Sequence, residues 1–176
     1  MSSGISKGII DKVEVSLRWD PSPSGEPDND LDIVAGTYTS EDPHGDPDYL
    51  VHFDSRSPDG TITLNRDSRT GQGFGADEVM TLELDRLAES YARVVIAVAV
   101  QQREGRKTFA EVPSTDVRVQ EGITELTRND FAAAADATAA VVAEFVRGEA
   151  GQWEFREAFR GLPHDPDTFA ELLSGA

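Results

Sequence analysis

Residues 12–19 read Lys12-Val13-Glu14-Val15-Ser16-Leu17-Arg18-Trp19, with apolar and polar side chains in strict alternation. A period of two puts the four apolar residues on one face of an extended chain, so this is a half-buried strand. Working outward, residues 94–100 (VVIAVAV) are unbroken apolar and β-branched, which suits a strand buried on both faces. Residues 31–38 and 49–53 read as further strands. Ser57-Pro58-Asp59-Gly60 is a turn, with Pro preset for it and Gly free to take positive φ, and residues 61–64 are the returning strand. Met80, Leu82 and Leu84 alternate, and residues 117–119 and 123–126 make a hairpin about Glu121-Gly122. Many short strands at regular spacing predict an all-β chain, an antiparallel β-sandwich.

One segment resists that reading. Residues 131–147, FAAAADATAAVVAEFVR, are Ala-rich and helical by propensity. Their second half, with Val141, Val142, Phe145 and Val146, equally fits a strand that turns at 148–151 into 153–159. Pattern leaves the two readings even. Trp19, Trp153, Phe155 and Phe159 are read as core. Asp165-Pro166 predicts the start of a short helix, Asp as N-cap and Pro at the first helical position, with Phe169, Leu172 and Leu173 inward. The organisation expected is one sandwich domain over 1–163 and a helical tail over 164–176.

The 176 residues include 33 acids against 16 Lys and Arg, a formal net charge of −17. Such a surface repels phosphate backbones, so nucleic acid is not expected as a partner and cations are. With no Cys there is no disulfide framework, thiol nucleophile or zinc–thiolate cluster. No stretch approaches the roughly 18 apolar residues of a membrane span, and the first ten residues are too short an apolar run for a signal peptide. A cytoplasmic location is expected.

The charge is concentrated. Between Trp19 and Ser55 lie ten acids and no Lys or Arg. Within that block, Asp28-Asn29-Asp30-Leu31-Asp32 places carboxylates two residues apart, on one side of an extended chain and roughly 6.6 Å from one another along it. Calcium takes six to eight oxygens at about 2.3–2.6 Å, and such an edge supplies part of a shell. The spacing resembles the start of an EF-hand loop but fails its test, because Ile33 stands where Gly is required and Thr39 where the bidentate Glu is required. A second loop runs Asp67-Ser68-Arg69-Thr70-Gly71-Gln72-Gly73-Phe74-Gly75-Ala76-Asp77-Glu78. Its alternating glycines permit sharp turns that aim carbonyls inward, and Asp67, Asp77 and Glu78 supply charge at its ends. No Lys-Ser/Thr and no helix follow it, which excludes a P-loop. The two loops are expected to meet around a shared divalent cation. His44, His52 and His164 are isolated, and no Gly-x-Ser-x-Gly elbow is present. The chain is read as not an enzyme.

The order of these motifs is itself informative. Ser6-Lys7-Gly8, then VSLRWD at 15–20, DNDLD at 28–32, SPDG at 57–60, DSRTGQGFGADE at 67–78 and QWEFR at 152–156 resemble the tellurium-resistance TerD family over residues 5–162. The resemblance implies a calcium-binding β-sandwich of bacterial stress-response systems associated with tellurite, phage and DNA-damage resistance. It implies partner proteins in assemblies near the inner membrane, with membrane association through those partners, and it tips residues 138–147 to strand. The family's site residues fall on Asp28, Asp30, Asp32, Asp67, Gly73, Asp77 and Glu78. The chain departs from the pattern at Arg66-Asp67-Ser68, and at Gln72, Phe74 and Ala76, where the family carries acids. One calcium site is therefore expected to be kept and a second weakened or lost. The alternative is a protein-interaction scaffold of the same fold with degenerate metal sites, Phe74 being its contact.

Overall fold

The computed structural model describes residues 10–73, 75–102 and 105–176. Ser6-Lys7-Gly8 and Phe74 lie outside them. Among the described residues ten strands form two antiparallel five-stranded sheets: β1 (Lys12–Arg18), β2 (Leu31–Thr39), β3 (Tyr49–Val51), β4 (Ile62–Arg66), β5 (Glu78–Glu83), β6 (Tyr91–Val100), β7 (Asp116–Glu121), β8 (Thr124–Asn129), β9 (Ala139–Arg147) and β10 (Trp153–Gly161). The first sheet has the order β4-β5-β1-β7-β8 and the second β10-β9-β6-β2-β3. This is the all-β sandwich expected from the sequence.

The alternation in β1 does what its period dictates. Val13, Val15 and Leu17 are fully buried and Trp19 nearly so, facing Leu31, Ile33, Val94, Ile96 and Val98 of the second sheet. Burying each such side chain contributes roughly 1.5–3 kcal/mol, the main term holding the sheets together. The second sheet is covered on its outer face too. There Val34, Tyr38, Val95, Ala97, Ala139 and Val141 pack against Leu172 and Leu173 of α1 (Phe169–Leu173). Two covered faces are why β2, β6 and β9 read as continuous apolar runs.

Residues 131–147 divide rather than choose one state throughout. Ala132–Ala134 form a single 3-10 turn, and Ala139–Arg147 are strand β9, between β6 and β10. Burial on both faces overrides alanine's helix propensity there.

Three local expectations are corrected. The third strand ends at Val51, and residues 52–55 close a tight turn through mutual His52 and Ser55 backbone bonds. Ser57-Pro58-Asp59-Gly60 does not return the chain onto β3: β3 edges the second sheet, whereas β4 edges the first. The Asp59 carboxylate takes the Thr61 N–H and hydroxyl, so the turn serves to switch sheets. The helix does not start at Asp165-Pro166, because the Asp165 carboxylate is held by Arg106 at 2.8 Å and by the Thr138 hydroxyl at 2.9 Å. Thr168 is the N-cap instead, its hydroxyl accepting from Glu171 N–H at 3.0 Å. Among the described residues no helix is long and apolar enough to cross a membrane.

Candidate metal centre

The second acidic loop joins β4 to β5, which pair antiparallel from Ile62↔Leu82 to Arg66↔Val79. Pairing pins both ends of the loop together, so Asp67 returns beside Glu78 although ten residues separate them in the chain. The loop folds over Trp19. At Gly71, with φ +79°, a Cβ would lie 2.5 Å from the indole Nε1, so only glycine fits that approach.

Asp77 and Glu78 are neighbours whose side chains leave the strand in opposite directions. The Asp77 carboxylate turns to the end of β1 and accepts from Trp19 N–H at 2.8 Å. Glu78 turns into the space between the sheets, where its Oε1 accepts from Ile33 N–H at 2.6 Å. Its other oxygen, Oε2, is buried, and among the described residues no donor reaches it. The carboxylates of Asp32, Asp67 and Glu78 each place an oxygen within 4.8 Å of the others. Two oxygens on one calcium ion lie at most about 4.6–5.2 Å apart, twice the bond length, so these three can share an ion.

The electrostatics agree with the geometry. Burial, together with the Asp32 and Asp67 charges, pushes the Glu78 carboxyl up to about 10, against the opposing effect of the Ile33 hydrogen bond. Burial also raises Asp77, partly countered by the Trp19 N–H and by Arg18 and Arg66. A divalent cation at the trio would reverse the sign at Glu78 by supplying the missing counter-charge. The residues present therefore fit a calcium ion: hard oxygen donors, one of them buried with no hydrogen to accept from any described residue.

Around this trio the sequence-derived set separates. Asp30 is buried and, with Asp32, Asp67, Arg69, Gln101 and Phe53, lines a cavity of about 130 Å³. Asp28 is exposed and Gly73, at φ +112°, is exposed in the loop; neither lines that cavity. The first loop is held by Asn29, whose carbonyl accepts from Trp19 Nε1 at 2.7 Å and whose Oδ1 accepts from Lys107 at 2.8 Å. Gln101 was not legible as a site residue. It follows β6, its N–H donates to the Asp30 carbonyl, and its side-chain amide donates to Asp32. The signal for it lies in the register: Leu31 pairs with Val100, so the residue after β6 adjoins the acidic loop.

A family model described as the TerD domain matches residues 5–171. The chain belongs to the TerD family. It is 30% identical over 176 residues to the tellurium resistance protein TerD of Serratia marcescens, covering 92% of this chain and 91% of that one. It is 26% identical over 151 residues to general stress protein 16U of Bacillus subtilis, covering 83% and 78%. Among solved structures, a homologue of telluride resistance protein (TerD) from Streptomyces coelicolor A3(2) superposes with a TM-score of 0.90 at 54% identity, covering 95% of this chain and 98% of that one. Membership of this family supports a stress-resistance role.

Proposed function

We propose that this TerD-family chain is a calcium-binding, non-enzymatic component of a stress-response system, working through partner proteins. The observation that carries the calcium reading is the Asp32, Asp67 and Glu78 trio, drawn from both acidic loops to within 4.8 Å, with the buried Glu78 Oε2, which accepts from no donor among the described residues, inside it. The Asp32 and Asp67 charges act against ionisation of the buried Glu78 carboxyl, and a bound cation would relieve that repulsion. Calcium would join β2, the β4–β5 loop and β5 at one end of the sandwich, and stabilise the folded chain in proportion to occupancy. Asp30 and Gln101 would set the outer side of the site, Asp30 by adding charge and Gln101 by orienting Asp32.

The test is thermal melting of chelator-stripped protein during a calcium titration. A rise in Tm at up to millimolar calcium is expected. Asp32→Asn and Glu78→Gln should each remove most of that rise, whereas Asp28→Asn should leave most of it. No rise in the unaltered chain would sink the reading.

A further inference from the structure

A second cavity, of about 660 Å³, lies beside the acidic one, between α1 and the end of the second sheet. That volume falls within the range of small-ligand and side-chain pockets. Its floor is aliphatic, from Leu50, Ala99, Val100, Ala139 and Leu172. Its wall is an aromatic trio: His52 and Phe169 are 4.6 Å apart edge to face, and Phe53 stands perpendicular to Phe169 at 6.1 Å. Phe53 is 43% exposed, an unusual position for a large apolar ring. Asp54 and Asp167 are exposed and also line the cavity, and among the described residues no Lys or Arg pairs with either. Asp165 is there too, but it is already engaged by Arg106.

We infer that this cavity is a docking site for a chain segment of a partner protein that carries Arg or Lys beside an apolar residue. The apolar side chain seats on the aliphatic floor. The cationic side chain lays its methylene stem on the aromatic wall and its head between Asp54 and Asp167. Charge complementarity selects this occupant: among the described residues Asp54 and Asp167 have no Lys or Arg partner, the whole chain carries −17, and an acidic segment would add repulsion while a neutral one would leave these two acids unsatisfied. The wall already tolerates a cation on Phe53, since the Arg69 guanidinium lies 6.0 Å from that ring's centroid. The site does not depend on the calcium reading, because none of the trio's carboxylates lines it.

The probe is a fluorescein-labelled hexapeptide of alternating Leu and Arg, titrated by anisotropy in chelator at physiological salt. Alternating Ser and Arg, and alternating Leu and Glu, serve as comparison peptides. Saturable binding of the Leu/Arg peptide alone is expected. Phe53→Ala, and separately the double change Asp54→Asn with Asp167→Asn, should each weaken it by at least about fivefold. Asp54 and Asp167 are exposed, so melting of the double variant should match the parent. Glu14→Gln, an exposed change on β1 in the other sheet, should leave binding unaltered. No saturable binding would overturn the proposal. So would equal binding of the Ser/Arg peptide, or equal loss with Glu14→Gln, either of which would mean diffuse attraction to an acidic surface.

Discussion

Glu78 carries the largest consequence of any single side chain, because its carboxyl is fully buried beside two others. Its folded-state pKa is raised to about 10 from an ordinary 4.5, so between those values the folded chain binds a proton that the unfolded chain does not. Stability in chelator is therefore greatest at the acidic end of that window and is lost as pH rises toward 10, by up to about 1.4 kcal/mol per pH unit from this one group. Glu78→Gln should flatten that loss, read as Tm in chelator from pH 5 to pH 9, since glutamine keeps the shape without the titration. An unchanged slope in the variant would assign the effect to general surface charge. Saturating calcium should also flatten the slope in the unaltered chain, because ion binding requires the deprotonated carboxylate and strengthens as pH rises. At this scale the sequence was partly legible. The D-x-D-x-D spacing and the charged ends of the second loop pointed to the segments that supply the trio. Which carboxylates meet was not legible, since Asp77, just before β5, and Glu78, its first residue, differ in the side of the chain each side chain leaves, and that depends on the pairing register.

Elements bring these residues together, and two of them can be tested directly. The β4–β5 loop owes its path to the contact between Gly71 and Trp19. Gly71→Ala would place a Cβ 2.5 Å from the indole nitrogen at φ +79°, a backbone region that costs a non-Gly residue roughly 1–3 kcal/mol. The expected outcome is a lower Tm together with weaker calcium stabilisation, while Gly122→Ala, at a hairpin tip with open space around it, should lower Tm without touching calcium. The second element is α1. Leu173 is fully buried, and its carbonyl receives the Tyr38 hydroxyl. Leu173→Ala should cost about 2–5 kcal/mol and Tyr38→Phe about 1 kcal/mol in denaturant unfolding. Helix existence was legible from Phe169, Leu172 and Leu173, but its start was not. Asp165 has the chemistry of an N-cap, yet Arg106 and Thr138 claim its carboxylate from outside the local sequence. The same limit applies to residues 131–147. Propensity there describes an isolated chain, whereas β9 is decided by two neighbouring strands and a covering helix.

Over the whole molecule, a net charge of −17 means that any cation stabilises the fold to some extent by screening. A specific site must be distinguished from that background, and coordination chemistry supplies the distinction. Calcium accepts irregular carboxylate sets at about 2.3–2.6 Å, whereas magnesium needs a near-octahedral shell at about 2.0–2.1 Å and gives up water reluctantly. Three carboxylates fixed by separate strands and loops form an irregular set, which suits the larger ion. At matched ionic strength, calcium should therefore raise Tm more than magnesium, and magnesium little more than potassium chloride. At one hundred times its dissociation constant, calcium should add about 2.7 kcal/mol, on the order of 5–10 °C for a chain of this size. Equal shifts from calcium and magnesium would point to surface screening. A calcium-specific shift that Asp32→Asn abolishes would place the stabilisation at the end of the sandwich where the two acidic loops converge, because screening is spread over all 33 acids and cannot be removed at one of them.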